Sequence, residues 1–207
     1  MIKAFLFDYG GVISKGGGAN DLTEKIASHL NVSLSKAYKL QLLGWGELMI
    51  GKIDASEFWK RVENSYGMPV PDSLRNIWNG WENMKPEPEM VACIELLKTN
   101  NYRVGLLSNT INYTANQIRD NGGYAIFDFT ILSCEVGVIK PDPKIYKLAL
   151  DKLDNIQPYE VAFLDDQEKC LIPAREMGIN AILVKNTQQA IDDINDLIIN
   201  HHDVTKK

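Results

Sequence analysis

Short apolar runs recur along the chain at wide intervals: Ala4–Phe7, Val104–Leu107, Thr130–Leu132, Val161–Leu164 and Ala181–Val184. Each is apolar throughout rather than alternating, and each is followed by polar residues or Gly. That pattern predicts parallel strands buried on both faces. Between the later runs the period becomes helical. Ile145, Leu148 and Ala149 follow Pro141 and Pro143, and Leu171, Ala174 and Met177 precede Gly178, which reads as a helix stop. Ile191, Ile194, Leu197 and Ile198 follow Thr187, which reads as an N-cap. Strands alternating with helices predict an α/β fold, a doubly wound parallel sheet covered on both faces.

One interval breaks the rhythm. From the first run to the second the chain shows amphipathic helices and no strand pattern. One helix carries Leu22, Ile26 and Leu30. Another starts at Asp54, which forms a D-x-x-E capping box with Glu57, and carries Phe58, Val62 and Tyr66 before Gly67. A third starts near Asp72 and carries Leu74, Ile77 and Trp81. Residues 16–84 therefore read as an inserted all-helical domain, with Pro86 and Pro88 marking the return to a core made of 1–15 and 85–200. Residues 201–207 read as a frayed tail. The run Gly16-Gly17-Gly18 reads as a hinge into the insertion, since the Lys-Ser/Thr ending of a phosphate-binding P-loop is absent.

Composition narrows the partners. The 207 residues are 45% hydrophobic and 24% charged, as in an ordinary soluble globular protein, and the formal net charge is −5. No Lys/Arg cluster is present to neutralise a nucleic-acid backbone. No stretch approaches the roughly 20 apolar residues that span a bilayer, and the N-terminus lacks a targeting pattern. Cys93, Cys134 and Cys170 are odd in number and widely spaced, reading as reduced thiols. The expectation is a cytoplasmic monomer or homodimer that acts on a small molecule, without nucleic acid or membrane.

In an open α/β sheet, ligands bind off the carboxyl ends of the strands. After the first run comes Asp8; after the second come Ser108, Asn109 and Thr110; after the third, Lys140; after the fourth, Asp165 and Asp166. Three carboxylates, a lysine and two hydroxyls would meet at one edge. Neighbouring carboxylates repel unless a cation sits between them, and hard oxygen donors suit magnesium. The metal would let the Asp8 carboxylate approach an anionic ester as a nucleophile. Ser108 could hold phosphate oxygens, and Lys140 could neutralise developing charge. Any one of these residues has a plainer reading. An Asp ending a strand is often a turn former, Asp165-Asp166 could cap a helix, and a Lys before Pro is usually solvated surface. Their order and spacing together favour a site.

That order resembles the haloacid dehalogenase superfamily over essentially the whole chain. The strand ending in Asp8 with Gly11-Val12 behind it looks like the first family motif, and Leu106-Leu107-Ser108-Asn109 like the second. Lys140 within Gly137–Tyr146 looks like the third, and Phe163-Leu164-Asp165-Asp166 like the fourth. The helical insertion lies where this family carries its small cap, on a Rossmann-like core. Gly51–Trp59 looks most like the branch of sugar phosphatases and epoxide hydrolase phosphatase domains. The resemblance implies Asp8 as nucleophile and metal ligand, and Ser108, Asn109 and Lys140 as phosphate-binding residues. It implies Asp166, the Gly10 backbone carbonyl and, beside or behind them, Asp165 as holders of Mg2+. The reaction implied is hydrolysis of small, sugar phosphate-like phosphomonoesters through a phosphoaspartyl intermediate.

Two positions depart from the family pattern. The general acid two residues after the nucleophile is replaced by Gly10, a loss that typically costs about a hundred- to ten-thousand-fold. Cys170 stands where Asn or Asp is usual in the fourth motif. Gly10 keeps a second reading open, a catalytically weak or inactive binding or regulatory protein. A 2-haloacid dehalogenase is a third, disfavoured by the paired Asp165-Asp166 and by Tyr9 standing one residue after the nucleophile instead of two. In the insertion, Trp45, Trp59, Trp78 and Trp81 read first as bundle core. Trp45, between Gly44 and Gly46 in an expected helix break, is the candidate for an exposed ring facing substrate.

Overall fold

The computed structural model describes residues 1–15, 19–79 and 84–203. The apolar runs become strands β1 (Ala4–Phe7), β2 (Arg103–Ser108), β3 (Phe129–Leu132), β4 (Val161–Asp165) and β5 (Asn180–Leu183). They form one sheet in the order β3-β2-β1-β4-β5, every neighbouring pair parallel. β1 is thus central, and the register sets Phe7 beside Leu106 on one side and Leu164 on the other. The residues that follow these positions, Asp8, Leu107-Ser108 and Asp165, are carried to one edge.

Both faces of the sheet are covered, which is why the strands lack polar alternation. Phe5, Phe7, Val104, Leu106, Ala162 and Leu164 pack under α6 (Pro88–Thr99), α7 (Asn112–Asp120) and α11 (Thr187–Asp203). The intervening Ala4, Leu6, Leu107, Val161 and Phe163 pack under α9 (Pro143–Asp151) and α10 (Glu168–Glu176). A short helix, α8 (Ser133–Val136), follows β3 directly.

Between β1 and β2 the helices are α1 (Ala19–Leu30), α2 (Leu34–Gln41), α3 (Trp45–Met49), α4 (Ala55–Tyr66) and α5 (Asp72–Arg75). They surround an apolar cluster of their own, built on Leu22, Ile26, Leu40, Leu48, Phe58, Trp59, Val62 and Leu74, with Ile111 of the sheet half joining it. This is the inserted helical cap. Asp54 caps α4 as its spacing predicts, accepting from Glu57 N–H at 2.8 Å, and Gly67 ends the helix. The Glu57 carboxylate pairs with Arg61 instead of closing the box.

Several local expectations shift. α5 stops at Arg75, so Ile77 lies in the turn beyond it, and Trp81 falls outside the described residues, as does the Gly16–Gly18 run. The cap of α11 is Asn186, whose Oδ1 accepts from Gln189 N–H at 2.9 Å, so Thr187 is already helical. α11 continues to Asp203, past the expected start of a tail. No helix among the described residues is long and apolar enough to cross a membrane.

Candidate active site

Asp8 follows β1 and extends its ladder by one step, its N–H donating to Leu164 O at 2.9 Å. The carboxylate is buried. A tight loop follows, in which Ile13 and Ser14 N–H return to Tyr9 O at 2.8 and 3.0 Å. Gly11 takes φ +77 there, and a Cβ on it would stand 2.6 Å from Asp166 Oδ2. Only glycine lets this backbone lie against the Asp166 carboxylate.

Asp165 ends β4 fully buried, and Asp166 comes next. One oxygen each of Asp8, Asp165 and Asp166 lies within 4.8 Å of the others. Lys140, also buried, reaches into this cluster. Its Nζ donates to Asp165 Oδ2 at 2.6 Å, stands 3.0 Å from Asp8 Oδ1, and lies 5.2 Å over the Phe163 ring. The Asp165 Oδ1 accepts from Gln167 N–H at 2.8 Å, so both Asp165 oxygens are engaged. Asp8 Oδ1 and Asp166 Oδ1 are buried without a hydrogen-bond donor. The 3.0 Å approach of Lys140 to Asp8 is an ion pair whose directed bond goes to Asp165.

Electrostatics follow from that packing. Burial pushes the Asp165 carboxyl up to about 6 despite the pull of Lys140, and burial followed by the Asp8 charge raises Asp166. For Lys140, burial works against the charge, but Asp8 and Asp165 outweigh it and hold the ammonium charged beyond the ordinary lysine range. Burial and then the Asp165 charge push the Cys170 thiol up to about 12, so it stays neutral and is a poor metal ligand.

At the end of β2, Ser108 is buried at the same edge. Asn109 next to it turns its carboxamide to the Lys140 backbone: Nδ2 donates to Lys140 O at 2.9 Å, and Oδ1 accepts Lys140 N–H at 2.8 Å. Thr110 N–H donates to Ser133 Oγ at 2.9 Å, and that hydroxyl lies 2.7 Å from Met49 O at the end of α3. The contacts of Asn109 and Ser133 were not readable beforehand, because they join segments far apart in sequence. Trp45 differs from its expectation. It opens α3 instead of standing in a helix break, and its half-buried ring packs edge-on to Phe58, 6.3 Å between centroids. Gly44, its neighbour, is closely packed: a Cβ there would lie 2.9 Å from Ile53 Cδ1, which would have to shift.

The donor set suits a divalent cation: three hard carboxylates close together, two of them presenting a buried oxygen with no hydrogen-bond partner. A family model for haloacid dehalogenase-like hydrolases matches residues 2–178. The chain belongs to that family. It is a hydrolase with the family's Rossmann-like core and helical cap. The D-ribitol-5-phosphate phosphatase of Bacteroides thetaiotaomicron is 27% identical over 199 residues, covering 90% of this chain and 93% of that one. Rat bifunctional epoxide hydrolase 2 is 53% identical over 68 residues, which are 33% of this chain and only 12% of the rat enzyme's length. Among solved structures, a HAD family enzyme of Bacteroides thetaiotaomicron in complex with magnesium and inorganic phosphate matches at TM-score 0.70 and 26% identity. That match covers 90% of this chain and 96% of the other.

Proposed function

We propose that this hydrolase is a magnesium-dependent phosphatase of small, sugar phosphate-like monoesters, working through a phosphoaspartyl intermediate on Asp8. The observation that carries the reading is the buried Lys140 ammonium held between Asp8 and Asp165, among three carboxylates that it alone does not balance. A relative that cleaves a pentitol phosphate, and a similar fold holding magnesium and phosphate, support it.

Asp8 and Asp166, with the Gly10 carbonyl, would hold Mg2+, whose charge allows an anionic ester to approach an anionic nucleophile. Asp165 has both oxygens engaged and serves chiefly to orient Lys140. An Asp8 oxygen attacks phosphorus, the bond from phosphorus to the ester oxygen breaks, and the alcohol leaves with a proton drawn from water. Water then attacks the acyl phosphate, freeing phosphate and restoring the Asp8 carboxylate. Ser108 and Lys140 bind the transferred group throughout, and Lys140 offsets its charge. The helices over this edge form the cap that selects the alcohol part, and residues 16–84 are the segment assigned to it.

Gly10 has no side chain to protonate the leaving group. That favours esters with good leaving groups, such as anomeric and acyl phosphates, and keeps the non-catalytic reading in play. The deciding experiment is phosphate release from a panel of sugar 1-phosphates, sugar and polyol 5-phosphates and acetyl phosphate, with and without magnesium, in the wild type and Asp8→Asn. Magnesium-dependent release that Asp8→Asn abolishes is the expected result. No release from a folded, magnesium-binding protein would move the assignment to a binding protein. Metal-independent halide release from 2-chloropropionate would move it to a dehalogenase.

A further inference from the structure

Asn109 and Lys140 come from different arms of the fold. Asn109 stands one residue beyond β2, and Lys140 sits in the turn before α9, outside any strand or helix. No strand ladder joins these segments, yet the Asn109 carboxamide pairs with both the N–H and the C=O of Lys140, at 2.8 and 2.9 Å. Those bonds reproduce one pairing step of a sheet. They also fix which end of the amide is oxygen, since the reverse would set N–H against N–H and oxygen against oxygen.

The consequence falls on the ammonium. The Lys140 Nζ sits at the end of a long flexible stem and must meet Asp165 at 2.6 Å and Asp8 at 3.0 Å inside a buried site. Where its backbone stands decides whether a staggered stem reaches both. Ser108, on the other flank of Asn109, ends a strand and is fixed by it. We infer that Asn109 is a positioning residue: it acts through Lys140, setting the ammonium against Asp8 and at a constant distance from Ser108, and not through its own contact with the ester. The part of the inference that concerns turnover rests on the phosphatase reading above.

The test is a double-mutant cycle in the full chain with Asn109→Ala, Lys140→Met and the pair, read as phosphate release with magnesium. Misplacing a catalytic group can cost about a hundredfold, and that loss in kcat is expected for Asn109→Ala alone. On the Lys140→Met background the same change should cost about twofold or less, within the usual error of additivity. An equal factor on both backgrounds would overturn the inference, because a direct phosphate contact or a general loosening acts without Lys140. Asn109→Asp, which keeps the acceptor and loses the donor, repeats the cycle if the alanine variant unfolds.

A second readout needs no turnover. Lysine side-chain 15N NMR should show one slowly exchanging ammonium that Lys140→Met removes. Asn109→Ala should shift or broaden it, and an unchanged signal would overturn the inference. If the wild type hydrolyses no ester but the signal depends on Asn109, the phosphatase reading fails and the positioning role stands. If the wild type hydrolyses esters but the signal is indifferent to Asn109, the phosphatase reading stands and the positioning role fails.

Discussion

At the residue scale the proposed phosphatase site lacks one proton donor. Asp8, Lys140, Asp165 and Asp166 converge, and Gly10 contributes only backbone. Among the glycines with positive φ in this loop is Gly11 and not Gly10, so a side chain at position 10 meets no left-handed strain. Gly10→Asp should therefore fold and supply a general acid two residues from the nucleophile. Expected is a rise in kcat of about a hundredfold on esters with poor leaving groups, and little change on acetyl phosphate. Unchanged kcat on both would show that the proton comes from elsewhere. These residues were legible in the sequence because strand ends in a parallel sheet share one edge, so four short runs told where Asp8, Ser108, Lys140 and Asp165 must meet. The pairing of Asn109 was not legible. The family resemblance implies a phosphate contact for it, and its carboxamide also pairs with Lys140, a partner that only the folded chain supplies.

At the element scale the cap meets the core at a tight junction beside α8. The end of α3 presents Met49 O to the Ser133 hydroxyl, and Gly51 follows at φ +70. A Cβ on Gly51 would lie 2.1 Å from Cys134 O in α8, a backbone atom that cannot turn aside, and 3.3 Å from Asn112 Nδ2. The same Ser133 hydroxyl accepts Thr110 N–H, two residues from Ser108. A displacement of the cap here would thus reach the loop proposed to bind phosphate. Gly51→Ala should cost about 1–2 kcal/mol from its backbone alone. It should also lower kcat/KM at least about tenfold by backing the cap away, with magnesium binding kept. A lower melting temperature with kcat/KM intact would show that the junction is structural only. The strands and the core helices α9, α10 and α11 were readable from period and caps, because propensity and burial agree there. The short α3 and α8 were not, and α5 was readable only in its start at Asp72. Helices this short take their shape from neighbours, and Trp45 shows it by packing on Phe58 where flanking glycines suggested an open break.

At the scale of the whole molecule, a protein of net charge −5 buries further unbalanced acidic charge in its site. Asp8, Asp165 and Asp166 present oxygens within 4.8 Å of one another against a single ammonium. For Asp8, two repulsions at no more than 4.8 Å exceed one attraction at 3.0 Å when each falls off inversely with distance. Burial adds to its cost, and its Oδ1 has no hydrogen bond in return. The unfolded chain separates these groups, so without metal the repulsion on Asp8 is a cost of folding, as functional groups often carry. Asp8→Asn removes the repulsion while leaving Lys140 its bond to Asp165. The metal-free variant should melt several degrees above the metal-free wild type, given the roughly 2–4 °C per kcal/mol of a chain this size. Magnesium stabilises the native state by mass action, so it should raise the wild-type melting temperature and raise that of Asp8→Asn by less than half as much. Calorimetry with chelator and then with millimolar magnesium measures both. A variant less stable than wild type without metal, with an undiminished magnesium shift, would mean that Asp8 is tied to Lys140 more strongly than it is repelled by its neighbours. In that case the cation would sit away from the nucleophile.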